Sequence, residues 1–206
     1  MKIVASALDR DRAYKLLTGV IVPRPIAWVT TLSLQGVVNL APFSAFTLVS
    51  SEPPMVGMSI SRKNGVLKDT ARNIRQRREF VVNIVDDTMA DKVHMSGTEF
   101  APETSEVDVL GLDLLDGEHV GVPRLAAAQA SLECRFSTCV NFGRGDSEFT
   151  VGEVLAFHVR DELYCDGKID TARLRPLCRI AGPSYAAMGA VTTLAPTYRS
   201  PHRPAS

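Results

Sequence analysis

The sequence IAWVTTLSLQGVVNLAPFSAFTLVSSEPPMVGMSI, residues 26–60, indicates the fold. Its first six residues are rich in β-branched and aromatic side chains, which favour a strand. Gln35-Gly36 predicts a hairpin turn, and Pro53-Pro54 interrupts strand pairing because proline has no N–H to donate. The strands predicted in this stretch cover residues 26–31, 37–40, 45–49 and 55–60. Strands of this length and spacing are typical of an antiparallel sheet.

The rest of the chain adds more strands and only a few short helices. Leu67, Ala71 and Ile74 recur at helical spacing and predict a helix over residues 67–77. Thr88 is the predicted N-cap of a second helix, which ends near residue 95. Further predicted strands cover residues 80–85, 130–139 and 149–159, and a brief helix covers residues 171–174. This pattern favours a mainly β fold that closes into a barrel.

Length and turn residues predict the organisation of the chain. A chain of 206 residues is expected to form one domain, with a core over about residues 20–185. Residues 96–108 are polar and predict a surface excursion, and residues 143–146 predict a turn. The proline-rich tail, residues 195–206, is expected to be mobile or to wrap a partner.

Composition excludes several classes of protein. Lys plus Arg and Asp plus Glu both equal 23, so the chain lacks the basic excess of a nucleic-acid-binding surface. The four cysteines form no C-x-x-C pair and the four histidines have no zinc spacing to them, so no metal site is expected. Charged residues occupy the N-terminus where a signal peptide is apolar, and no apolar run could cross a membrane. We therefore expect a cytoplasmic protein with no membrane partner.

Two segments could carry chemistry in place of ordinary packing. Residues 39–54 combine small and hydroxyl side chains with proline, which leaves backbone N–H and C=O groups free to meet a flat polar ring; an edge strand facing solvent is the alternative. Ser61-Arg62-Lys63-Asn64-Gly65, followed by Lys68-Asp69-Thr70, places hydroxyls, cations and a helix start together, as a phosphate site requires. A solvated basic turn is the alternative there. Neither a Rossmann nor a P-loop motif is present.

Taken in order, several motifs resemble the flavin reductase-like family, whose members bind FMN in a split β-barrel of Greek-key type. The family includes flavoredoxins and the reductase components of two-component monooxygenases. The resemblance covers most of residues 20–185. It is carried by PRPIAWVTT (23–31), NLAPFSAFTLVSSEPPMV (39–56), KDTARNIR (68–75), EFVVNIV (79–85), VGEVLAFHV (151–159), DGKID (166–170) and LRPLCRIAGPSY (174–185).

The resemblance implies a set of flavin-binding residues. The flavin ring is expected to lie along residues 39–50, and Trp28 is expected to line the ribityl chain or the ring. The phosphate is expected to bind after residue 60. Core packing is an equal alternative for Trp28. The implied cofactor-binding residues are Trp28, Thr30, Thr31, Asn39, Ala45, Phe46, Thr47, Ser50, Ser61, Arg62, Lys63, Lys68 and Thr70. The hydroxyl of Ser44 or Thr47 is the catalytic candidate, because a donor near flavin N5 stabilises the charge that develops when the ring is reduced.

One departure from the family bears on the electron donor. Many relatives have a histidine shortly before the GEV segment, near the open face of the flavin, where this sequence has Ser147-Glu148-Phe149. A carboxylate there would disfavour the extra phosphate of NADPH. His158 lies within a predicted strand, where a hydrogen-bonded structural histidine is the favoured interpretation.

The resemblance implies an NAD(P)H-dependent flavin reductase that supplies reduced FMN to a partner oxygenase. The electron donor is NADH or NADPH. Two alternatives stay open: an electron carrier similar to flavoredoxin that retains its FMN and reduces another redox protein, and a non-catalytic flavin-binding protein. A homodimer with flavin sites near the subunit interface is expected, because split barrels of this kind have an open side.

Overall fold

The computed structural model describes residues 1–143 and 147–195, and its main feature is one seven-stranded antiparallel sheet. The strands are β1 (Arg24–Pro25), β2 (Ala27–Leu32), β3 (Val38–Phe43), β4 (Phe46–Ser51), β5 (Pro54–Ser61), β6 (Glu79–Ile84), β7 (Leu114–Leu115), β8 (Arg124–Leu125), β9 (Ala130–Phe142), β10 (Ser147–Val159), β11 (Tyr164–Cys165), β12 (Lys168–Ile169), β13 (Cys178–Arg179) and β14 (Tyr185–Ala186). The helices are α1 (Arg10–Val20), α2 (Asp69–Arg77), α3 (Ala90–Met95), α4 (Glu106–Val109) and α5 (Thr171–Leu174).

The large sheet curls into a split barrel. Its strand order is β3-β2-β6-β9-β10-β5-β4, so two strands that follow each other in the chain, β3 and β4, lie at opposite ends of the order. Ser44 and Ala45 join them, and the Ala45 carbonyl accepts a hydrogen bond from the Ser59 N–H at 2.8 Å. The predicted mainly β, split-barrel fold is therefore confirmed.

Alternating side chains of β2 divide the core between two faces of the sheet. Ala27 and Val29 point into the barrel, where they pack with strand residues such as Met58 and Phe80 and with α2. Trp28 points to the opposite face, into a second core beneath α3 and α4. The barrel core is tightly packed at Gly152, where a Cβ atom would lie 2.4 Å from the Phe80 ring. Only glycine fits that close approach.

The structure differs from the sequence predictions in three places. The N-cap near residue 88 is Asp86, whose carboxylate accepts from the Thr88 N–H at 3.0 Å; Thr88 itself caps nothing, because it lies inside a short 3₁₀ turn that precedes α3. Helix α1 was not predicted, since its apolar side chains face outward and none is buried. Residues 96–108 are more than a surface excursion, because Glu106 and Val107 of α4 are buried.

Two remaining predictions concern the ends and the turns of the chain. The tail prediction falls on residues 196–206, and most of the 143–146 turn on residues 144–146, all outside the described residues. Among the helices that are described, none is long and apolar enough to cross a membrane.

Candidate functional site

A surface cavity of about 550 Å³ lies between β3, the turn after β5, the start of α2 and the segment that leads into α4. Its walls bring together residues far apart in sequence. Four of the predicted flavin-binding residues line it: Asn39, Lys63, Lys68 and Thr70. The cavity volume is within the range of about 300–1,000 Å³ that holds small-molecule ligands and cofactors.

The turn after β5 and the start of α2 form the cationic end of the cavity. Lys63 and Val66 exchange two backbone hydrogen bonds, of 3.0 and 2.8 Å, across a turn in which Gly65 has a φ of +77°. That turn leads into α2, whose N-cap Lys68 makes no side-chain capping bond. The free N–H groups of a helix start attract anions, and the two exposed lysines add charge.

Two of the three cationic side chains that line this end, Lys63 and Arg72, have an acidic neighbour. Lys63 forms an ion pair with Glu99, a residue of the segment between α3 and α4. Arg72 pairs with Asp69 one turn earlier on α2. Both pairs are partly exposed, so an anionic ligand could displace either carboxylate at small energetic cost.

Asn39 and Thr70 form a buried polar contact at the cavity wall. The Asn39 side-chain amide donates to the Thr70 hydroxyl at 3.0 Å, and both residues are buried. This bond fixes the first turn of α2 against β3. It also gives both residues a structural role that needs no ligand.

The predicted ring-binding segment continues from the cavity wall along the joint between β3 and β4. Phe43 lines the cavity and the next two residues connect the strands. The Ser44 hydroxyl accepts from Arg24 Nε at 3.4 Å, and the same guanidinium donates to the Thr18 and Ile21 carbonyls at 2.7 and 2.6 Å. Arg24 therefore holds both Ser44 and the end of α1.

Thr47 differs from what its sequence setting implied. Apolar neighbours predicted a buried hydroxyl in need of a partner, but Thr47 is exposed on the edge strand β4, and its hydroxyl donates weakly to the Leu48 carbonyl at 3.3 Å. The burial expectation is wrong because β4 is an edge strand and the side chains of Thr47, Leu48 and Val49 are exposed along it. Ala45 is likewise exposed, Phe46 and Ser50 are half-buried, and Ser61 is exposed at the end of β5.

The structure places Trp28, Thr30 and Thr31 in the interior. Trp28 has no exposed surface and its indole N–H donates to the Ser96 hydroxyl at 2.8 Å, which is the core-packing alternative. Thr30 donates to the Pro123 carbonyl at 2.7 Å. Thr31 accepts from the Asn73 side-chain amide at 3.1 Å. Each side chain is fully buried and already bonded, so none of the three faces the cavity.

Glu148 does not lie at an open face as the sequence led us to expect. It is 2% exposed, 2.5 Å from Arg75 Nη2 and 3.8 Å from Arg62 Nη2. A carboxylate enclosed by two guanidinium groups cannot repel a dinucleotide phosphate in solution, so that argument against NADPH is wrong. The same ion pair holds Arg62, which lies outside the cavity lining.

His158 is a hydrogen-bonded strand histidine. Its Nε2 lies 2.6 Å from a carboxylate oxygen of Glu133, which is fully buried. Burial raises the pKa of Glu133, but bonds from three backbone N–H groups and from His158 outweigh it, so the pKa is lowered overall. The cluster fixes residues 118–120 against β9, away from the cavity.

The family described as "Flavin reductase like domain" matches residues 20–173. This chain belongs to the flavin reductase-like family. A protein of Halalkalibacterium halodurans without assigned function is 43% identical, over 94% of this chain and 95% of its own. The reductase component of a 4-nitrophenol monooxygenase from Rhodococcus opacus is 33% identical over 52% of each chain.

Solved structures of the family share its fold. Nitrilotriacetate monooxygenase component B from Bacillus cereus superposes with a TM-score of 0.91, at 34% identity, over 94% of this chain and 98% of its own. A 2-nitrobenzoate 2-nitroreductase from Pseudomonas fluorescens gives 0.82 at 33% identity, over 98% and 100%. An FMN-binding protein from Thermus thermophilus gives 0.71 at 26% identity, over 86% and 93%.

Sequence reasoning missed the wall that faces the predicted phosphate site in this flavin reductase-like chain. Glu99 and Phe100, in the segment between α3 and α4, line the cavity together with Glu106, the first residue of α4. That segment is polar, and its acidic residues are indistinguishable in the sequence from solvated ones. Only the burial of Glu106 against β3 separates it from its neighbours.

Proposed function

We propose that this flavin reductase-like protein is an FMN-dependent oxidoreductase that takes electrons from NADH or NADPH. The observation that carries the proposal is the cavity, in which cations, a helix start and the β3 wall meet. FMN has matching parts, a phosphate at one end and a flat ring at the other. When bound, FMN supplies the redox chemistry, and the protein supplies binding, orientation and electrostatics.

Different residues of the chain would bind different parts of FMN. Lys63, Lys68 and the free N–H groups at the start of α2 would hold the phosphate. Ala41, Pro42 and Phe43 give the cavity an apolar stretch against which a ring can pack. The next residue after Phe43 is Ser44, whose hydroxyl accepts from Arg24 and would be a candidate donor to the reactive edge of the ring.

Release of reduced FMN to an oxygenase is the favoured form of this activity. The Rhodococcus relative is a monooxygenase reductase component, and the Bacillus structure is a monooxygenase component. Lys63 and Lys68 are both exposed, which suits exchange of the phosphate end with solvent. A carrier that retains FMN is the second candidate.

Steady-state oxidation of NADH and of NADPH, with and without excess free FMN, tests the proposal. With oxygen excluded, a reductase should oxidise as much nicotinamide as there is free FMN, whereas a carrier should stop after one equivalent of its bound FMN unless a protein acceptor is added. If FMN neither binds nor supports oxidation of either nicotinamide, the proposed function is wrong.

We further propose that the protein acts as a homodimer. Helix α1 buries no residue, and its apolar side chains stay in contact with solvent, Tyr14 at 67% and Val20 at 75% exposure. On the edge strand β4, Leu48 is 78% exposed. Apolar surface of this kind is typical of an interface. Analytical ultracentrifugation should give a dimer; a monomer that binds FMN tightly would contradict this proposal.

A further inference from the structure

One buried carboxylate in the cavity wall has no role in holding the phosphate. Glu106 begins α4, lines the cavity and is 7% exposed. Its Oε2 accepts from the Leu40 N–H at 2.8 Å, so the side chain is anchored to β3, a strand at one end of the sheet order. The carboxylate is therefore held in a fixed position beside the cavity.

The bond to Leu40 does not by itself explain a carboxylate at this position. A neutral amide could accept the same N–H without the cost of burying a charge. Burial does raise the pKa of Glu106, so the ionised group is destabilised here. A carboxylate has room for about four hydrogen bonds, which leaves acceptor capacity for a ligand.

The chemistry of the Glu106 carboxylate determines which part of a flavin it could bind. An ionised carboxylate only accepts, so it repels the phosphate and suits a donor. In FMN the donors are the hydroxyls of the ribityl chain and the N3–H of the ring. Glu106 is bonded to the N–H of Leu40, and the adjacent Asn39 bonds through its side chain to Thr70 in the first turn of α2. Glu106 therefore lies toward the start of α2, the proposed phosphate end, where the ribityl chain would be nearer to it than N3.

We propose that Glu106 binds the ribityl hydroxyls and so makes the site selective for flavins with an intact ribityl chain. The inference rests on the proposed function, because it assumes that the cavity holds a flavin. Glu106 is then a specificity-determining residue for the uncharged middle part of the cofactor, between the ring and the phosphate.

Three flavins separate the parts of the site. FMN has ring, ribityl chain and phosphate; riboflavin lacks the phosphate; lumiflavin has the ring alone. Affinities are measured by quenching of flavin fluorescence, with no turnover required. We expect Glu106→Met to weaken riboflavin by about 10- to 100-fold, to weaken FMN somewhat less because the lost charge also repelled the phosphate, and to leave lumiflavin unchanged. Glu106→Gln keeps an acceptor and should cost about three- to tenfold for the same two flavins.

Glu79→Gln is the matched control. Glu79 also accepts one backbone N–H, from Gly121 at 2.8 Å, but it lies outside the cavity lining. It should leave all three affinities unchanged. Should Glu106→Met fail to fold, Glu106→Gln carries the test alone.

The possible outcomes separate this inference from the proposed function. If the wild-type protein binds none of the three flavins, the proposed function fails and the inference with it. If it binds FMN and riboflavin but the Glu106 variants lose nothing, lose lumiflavin equally, or weaken FMN alone, only the ribityl assignment is overturned. Loss restricted to FMN would mean that Glu106 acts on the phosphate.

Discussion

The carboxylate of Glu148 lies 2.5 Å from Arg75 Nη2, beneath a surface that leaves only 2% of Glu148 exposed. Arg75 belongs to α2 and Glu148 to β10, so the pair ties the helix of the phosphate site to the barrel. Arg62, which follows β5, approaches the same carboxylate at 3.8 Å. The two arginines therefore neutralise an internal charge.

Glu148→Gln should affect stability and leave the choice of nicotinamide unchanged. The variant leaves Arg75 without its ionised partner, and we expect a loss of about 1–3 kcal/mol in the free energy of unfolding. Because Arg75 is partly exposed, water will recover some of the interaction. Urea unfolding measures the loss, and the ratio of NADH to NADPH oxidation measures the preference. A shift of that ratio toward NADPH would contradict this prediction and would indicate that the Glu148 carboxylate repels the extra phosphate of NADPH.

Glu99→Gln should increase the affinity for FMN. Glu99 forms an ion pair with Lys63, so it would compete with the phosphate for the same cation. Exposed ion pairs contribute up to about 1 kcal/mol, and the gain should be about two- to fivefold. Riboflavin affinity should not change. Glu103→Gln, an exposed residue of the same segment with the same change in net charge, is the control. Equal gains in both variants would indicate a long-range charge effect.

Thr47→Val separates a catalytic hydroxyl from a structural one. Since Thr47 is exposed and its only described bond is weak, the change in unfolding free energy should stay within about 0.5 kcal/mol. If the hydroxyl assists reduction of the ring, stopped-flow bleaching of bound FMN by NADH should slow while FMN affinity stays nearly constant. An unchanged bleaching rate would leave Ser44 as the catalytic candidate.

Local sequence was sufficient to predict the sheet and to bring together the residues at one end of the cavity. The β-branched and aromatic residues within residues 26–60, together with the turn and proline residues between them, predicted four strands. The turn after β5 was predicted as the phosphate end because strand, glycine and helix start follow one another in the chain. Lys63, Lys68 and Thr70 do meet there.

The rest depended on contacts between segments far apart in the chain. Whether Trp28 faces the barrel or the outer core depends on the helices that cover β2, and Thr30 and Thr31 follow from the same packing. Glu148 and Glu106 are both carboxylates beside polar residues in the sequence. Their partners, Arg75 and the Leu40 N–H, lie 73 and 66 residues away, so their burial could not be read locally.

The pH dependence of the free energy of unfolding should reveal the cost of burying the ionised Glu106 carboxylate. Burial, with a smaller contribution from Asp69, raises the pKa of its carboxyl above the ordinary 4.5, and the Leu40 N–H offsets this only in part. The folded state therefore binds the proton more tightly than the unfolded state. Stability from this group is present below pH 4.5 and is lost as pH rises through the raised pKa.

Glu106→Gln removes the titration and keeps an acceptor for Leu40. Its stability relative to the wild type should therefore rise with pH across that window and stay constant above it. Urea unfolding of both proteins, without flavin, between about pH 4 and pH 8 measures the difference. A gain in stability combined with weaker binding of riboflavin would mean that the carboxylate is retained for its ligand. If the stability of Glu106→Gln relative to the wild type instead increases as pH falls, the ionised carboxylate stabilises the fold. The argument from its burial cost would then be wrong.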